Sequence, residues 1–114
     1  MTSHRYVPRS FTLDPLDFGR PGVELRWRTP PETVPEIDQY TASQVQHHWA
    51  VRIRAAVERA REYSSVKDFA AANGFDYAKL SRVLRGENVM RLDDIAAARR
   101  TLLNSSFTAP SESS

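Results

Sequence analysis

The chain reads S-V-K-D-F-A-A-A-N-G-F-D-Y-A-K-L-S-R-V-L-R-G from Ser65 to Gly86, and this stretch decides the fold. Ser65 and Asp68 form an S-x-x-D variant of the capping box, which predicts a helix opening there. Gly74 ends that helix, because glycine reaches the left-handed backbone without a Cβ penalty. Asp76 is placed to cap a further helix, and Gly86 closes it. Ala70 lies four residues before Gly74, and Leu80 and Val83 follow at the spacing that packs the later helix onto the earlier one. A larger side chain at Ala70 would push the two apart. The pattern is that of a helix-turn-helix.

Outward from this unit the period stays helical. Val45, Trp49, Ile53, Ala56, Val57 and Ala60 recur at three- and four-residue steps, predicting a helix from about Thr41 to Arg61 with Thr41 or Ser43 as its cap. Near Arg91 to Leu103 a fourth helix is expected, with Leu92, Ile95, Ala96, Leu102 and Leu103 on one face. Asp93 and Asp94 fall in its first turn, where negative charge favours the helix dipole. Asn104 to Ser114 reads as a Ser-rich disordered tail.

Upstream, six of the seven prolines lie between positions 8 and 35, which predicts no helix in the first forty residues. Two runs alternate there, Ser10 to Leu13 and Val23 to Arg28, and they read as short strands separated by turn chemistry at Asp14-Pro15 and Gly19 to Gly22. A lone hairpin is marginal in water, so this piece must pack on the helices or on a second chain. Thr29 to Asp38 reads as a linker. The expected architecture is mainly α: a compact helix-turn-helix bundle of four or five helices with an N-terminal extended or β-hairpin segment. The expected organisation is a Pro-rich extension over 1–40, a helix-turn-helix domain over 41–104 and a tail over 105–114.

At 114 residues the chain holds one modest domain plus extensions. No apolar run approaches the roughly 20 residues of a membrane helix, and no signal-type stretch opens the chain. The absence of cysteine removes disulfides and thiolate chemistry, so a cytoplasmic place is expected. The adjacent pair His47-His48 points its rings about 100° apart on a helix, which does not suit a shared metal. No Gly-rich phosphate loop, Ser/His/Asp order or metal-ligand spacing is present, and neither an enzyme nor a cofactor is expected. Net charge is only +2, but Arg52 to Arg91 carries nine basic residues against five acids. That excess suits phosphate contact.

On the helix after Asp76, Leu80, Val83 and Leu84 share one face at 100° per residue. Ala78, Ser81, Arg82 and Arg85 cluster opposite, flanked by Tyr77 and Lys79. Such a helix fits the DNA major groove. Arg82 is the foremost base reader, since a guanidinium fork matches guanine O6 and N7. Tyr77 and Ala78 are placed for base edges or a thymine methyl, Lys79 and Ser81 for bases or phosphates, and Arg85 for a phosphate. The free N–H groups and ammonium at Ser65 to Lys67 also suit a phosphate. Trp49 belongs to the core stripe of its helix, and Trp27 is a candidate interface residue.

From about Trp49 to Leu103 the chain resembles the Xre/Cro-type helix-turn-helix family of bacterial and phage regulators. The resemblance rests on Ala70-x3-Gly74, the Leu80 and Val83 spacing, the S-R-V-L-R-G run at Ser81 to Gly86 and the L-x-x-I of the following helix. It implies a bundle that binds pseudo-palindromic double-stranded DNA as a homodimer in the nucleoid. It implies base-facing Tyr77, Ala78, Ser81 and Arg82, with Ser65, Lys67, Arg85 and Asn88 near phosphates. Two features depart from the family: the forty-residue extension and the lack of an evident fifth helix.

The expected function is therefore a dimeric, sequence-specific transcriptional regulator, a repressor by family habit. An alternative is an antitoxin or anti-factor whose helical domain binds DNA while residues 1–40 bind a partner protein through Phe11, Leu13, Phe18, Leu25 and Trp27. A third is a helical adaptor without DNA binding. A basic arm of His4, Arg5 and Arg9 in the minor groove is a further option.

Overall fold

The computed structural model describes residues 6–60 and 62–103. Four α-helices carry the fold among these residues: α1 (Val34–Arg59), α2 (Val66–Asn73), α3 (Tyr77–Leu84) and α4 (Leu92–Leu103). The predicted arm residues His4 and Arg5 and the tail from Asn104 lie outside the described residues.

The helix-turn-helix forms as its caps dictate. Ser65 Oγ accepts from Asp68 N–H at 3.2 Å, while the Asp68 carboxylate takes the N–H and hydroxyl of Ser64. Gly74 ends α2 in the left-handed region at φ 78°, and Asp76 accepts from Lys79 N–H at 3.2 Å to open α3. Ala70 is wholly buried where the two helices meet, and Leu80, Val83 and Leu84 form the buried face of α3.

α1 departs from expectation at its start and along its first half. It opens at Val34, not Thr41, with Thr33 as N-cap and Pro35 in the first turn. Proline there removes an N–H that has no intrahelical acceptor anyway, so it opens a helix as readily as it breaks one. The second half of the predicted linker, Val34 to Asp38, is therefore helix. The buried positions are Ser43, Gln46, Ala50, Ile53, Ala56 and Val57, whereas Val45 faces solvent and Trp49 is half-buried under the Arg52 guanidinium, 4.8 Å from its ring centre. The core stripe thus runs through two polar residues. Ser43 donates to Gln39 O, and Gln46 ties the molecule together: its Nε2 donates to Val83 O and Asn88 O, and its Oε1 accepts from Met90 N–H, all at 2.8 Å.

α4 is rotated from its predicted face by about 100°. Ala98, Thr101 and Leu102 are buried and Ile95 packs at the edge, while Leu92 is 84% exposed and Ala96 faces out. At its start Asp94 accepts from Arg91 N–H at 2.9 Å, and the face packed into the core is the one that carries Ala98.

No strand is present among the described residues, so the expected hairpin is absent as such. Pro8–Phe11 and Pro15–Asp17 are short 3₁₀ turns, and the two alternating runs meet at a single antiparallel bridge, Thr12 with Trp27. This segment packs on the helices. Phe18 is 1% exposed within the main core, and burying such a ring stabilises by roughly 1.5–3 kcal/mol. Trp27, expected at an interface, instead makes edge-to-face contacts with Phe18, Tyr40 and His47. Next to Phe18, Gly19 is wedged between α1 and the end of α3, where a Cβ would stand 3.0 Å from the Ala50 Cβ and closer still to Leu84 O. Gly86 gives way to the Phe18 ring in the same manner.

Two outcomes follow from these contacts. Gln46→Leu keeps the size of the side chain but leaves Asn88 O and Met90 N–H without partners, while Val83 O still accepts from Gly86 N–H at 3.1 Å, so urea unfolding is expected to show a loss of about 1–3 kcal/mol; a loss near zero would contradict the bracing role. Gly19 N–H donates to His47 Nδ1 at 2.8 Å, which requires the neutral ring. Burial, and then the neighbouring His48, hold His47 below the usual histidine range. The unfolded chain therefore takes up the proton first as pH falls. The stability this contact brings is complete above about pH 6.5 and is lost on acidification through the folded pKa. Melting measured from about pH 7.5 down to 5.5 should fall more steeply for the wild type than for His47→Gln, which accepts the same N–H without titrating; equal slopes would refute the contribution.

Candidate nucleic-acid interface

α3 is held from below and open above. Its apolar face is clamped by the core, by Gln46 on Val83 O and by Gly19 against Leu84. On the other side Tyr77, Ala78, Lys79 and Arg82 are exposed, and Ser81 is half-buried beside them. These positions share one helix surface, as their spacing predicts. Arg82 and Lys79 form no ion pair among the described residues, so both charges are available to a ligand.

The predicted phosphate residues are placed less uniformly. Ser65 and Lys67 are both exposed at the start of α2, with the Ser65 hydroxyl also serving as the cap. Arg85 follows α3 and is engaged, its Nε donating to Glu87 Oε2 at 2.8 Å. Glu87 is shared with Arg9 at 3.8 Å, whose own N–H donates to Gly86 O. Arg9, placed by sequence in a free arm, is thus docked on the loop after α3. Asn88 is exposed, but its carbonyl is taken by Gln46.

One residue beside α3 escaped the sequence reading. Arg54 lies on α1, one turn beyond Ala50, and is only partly exposed. Its Nε is buried with no hydrogen-bond partner. Burial, then the positive charges of Arg85 and Arg20, hold its guanidinium below the usual arginine range, with Glu58 and Tyr77 acting in the opposite sense. The signal was present but faint: Arg54 follows the core residue Ile53 by one step, so it sits on the shoulder of the apolar stripe.

Among the described residues no group of three or more His, Asp or Glu side chains is arranged to hold a metal ion, and no helix is long and apolar enough to cross a membrane. His47, half of the pair considered for a metal, spends its Nδ1 on Gly19. No protein-family model, curated protein or solved structure matches the chain.

Proposed function

We propose that this protein is a sequence-specific DNA-binding regulator that lays α3 in the major groove and binds operator DNA as a homodimer. The observation that carries the reading is the division of α3 into a fully buried apolar face and an open face of Tyr77, Ala78, Ser81 and Arg82. A short helix held rigidly on one side and offering a fork-shaped cation on the other suits recognition of base edges. Arg82 reads bases; Lys79, Lys67 and Ser65 meet phosphates. Two copies would place their α3 helices about one DNA turn apart, roughly 34 Å, on a pseudo-palindrome. The resemblance to the Xre/Cro-type family supports the same reading, and so does the excess of positive charge between Arg52 and Arg91.

The antitoxin alternative changes in its details. Phe18, Leu25 and Trp27 pack against the chain's own core, which withdraws them as partner anchors. Leu16, 81% exposed, and Leu13 remain on the surface of the N-terminal segment for such a role.

Selection of bound duplexes from a random-sequence pool at about 150 mM salt tests the proposal. The expected product is an enriched palindrome, and Arg82→Ala should weaken it by about 1–3 kcal/mol and relax preference at one position in each half-site. Retention of no sequence class by the wild type would contradict a base-reading role.

A further inference from the structure

The wedge at Gly19 brings three segments of the chain to one point beside α3. Gly19 sits between Ala50 of α1 and Leu84 at the end of α3. Arg20 follows Gly19, Arg85 follows Leu84, and Arg54 lies one helical turn beyond Ala50. Three arginines from three separate parts of the sequence therefore flank the point where these residues meet. Burial first, and then the charges of Arg85 and Arg20, disfavour the charge on Arg54, with the Glu58 carboxylate acting in the opposite sense.

Nearby carboxylates answer this charge only in part. Arg20 pairs with Asp17 at 3.6 Å on the exposed surface, and Arg85 shares Glu87 with Arg9. Arg54 makes no hydrogen bond or ion pair among the described residues, although its Nε is buried. A half-buried guanidinium without an acceptor is costly, and a fold that keeps one beside two further cations has a use for an anion there. A phosphodiester suits this junction, because arginine forks donate in parallel to two phosphate oxygens. Arg85 directly follows Leu84, the last residue of α3. The cluster thus borders the proposed DNA-reading surface.

We propose that Arg20, Arg54 and Arg85 form one anion site that holds a backbone phosphate of the DNA lying along α3, so that the N-terminal segment is part of the DNA interface. The inference rests on the regulator reading, and it gives the packing of residues 8–28 on the helices a direct role in binding: the segment carries Arg20 to the phosphate.

The test has two arms. In the first, affinity for a selected duplex is measured against salt concentration for the wild type, Arg20→Gln and Arg54→Gln. Each variant should bind several-fold more weakly, with a salt slope shallower by about 0.9 and an unchanged order of preference among sequences. Arg20→Gln alters an exposed side chain and keeps this arm decisive if Arg54→Gln impairs folding. In the second arm the side-chain Nε–H signal of Arg54 is followed by NMR during titration with inorganic phosphate. A saturable shift is expected in the wild type, weakened in Arg20→Gln. Sequence-dependent binding by the wild type with the same salt slope in the variants overturns the phosphate site and leaves the regulator reading standing. A wild type that binds no duplex overturns the DNA assignment together with the regulator reading, and the phosphate titration then decides whether an anion site exists at all.

Discussion

The side-chain amide of Gln46 is the contact on which the rest of the arrangement depends. A glutamine inside a core stripe loses its water, and that cost is recovered only if both ends of the amide find partners. Here Nε2 meets two carbonyls and Oε1 meets one N–H, from Val83, Asn88 and Met90. Those groups border the end of α3 and the loop leading to α4. Because the loop lacks regular structure, its buried polar groups have no ladder to join. The amide supplies what a ladder would have supplied, and so fixes where α3 ends and where α4 begins.

The N-terminal segment braces the same junction from the opposite side. Phe18 fills the space above Gly86, and Gly19 admits the backbone of Leu84. Both contacts tolerate no side chain at the glycine, so the segment and the helix end are fitted to each other at van der Waals distance. Aromatic edge-to-face contacts through Phe11, Tyr40, Trp27 and His47 extend this docking along α1. With one long helix and three short ones to share a core among the described residues, the added burial of a ring such as Phe18 is a substantial fraction of the roughly 5–15 kcal/mol that holds a domain folded. The consequence is rigidity: the exposed side of α3 is presented by a helix fastened at both its buried face and its end.

Local chemistry was the legible part of the sequence. Ser65, Gly74 and Asp76 act through hydrogen bonds and backbone preferences that reach no further than a turn, so α2, α3 and the face carrying Tyr77 and Arg82 were visible in the residues alone. What depended on distant partners was not. The early start of α1 was hidden because Pro35 serves a first turn as well as it ends a helix. Gln46 carries no local signal, because its role exists only where Val83, Asn88 and Met90 meet it. α4 buries a face one helical step from the one its spacing marks, since Leu92 fits an apolar stripe by spacing yet lies on the exposed side, away from the core contact of Ala98. The conjunction of Arg20, Arg54 and Arg85 spans sixty-odd positions of sequence, and nothing in their spacing announces it.

A regulator of this design would separate its tasks by position. In the proposed reading Arg82 and its neighbours on α3 would select sequence, while cations from α1, α2 and the N-terminal segment would supply attraction that falls with salt. The most direct measurement is a map of backbone amide NMR shifts as the selected duplex is titrated into the protein. The largest changes are expected at Tyr77, Ala78, Ser81 and Arg82, with a second group at Arg20, Arg54 and Arg85. Changes confined to the exposed apolar residues Leu13, Leu16 and Val45, with α3 silent, would contradict the proposed reading.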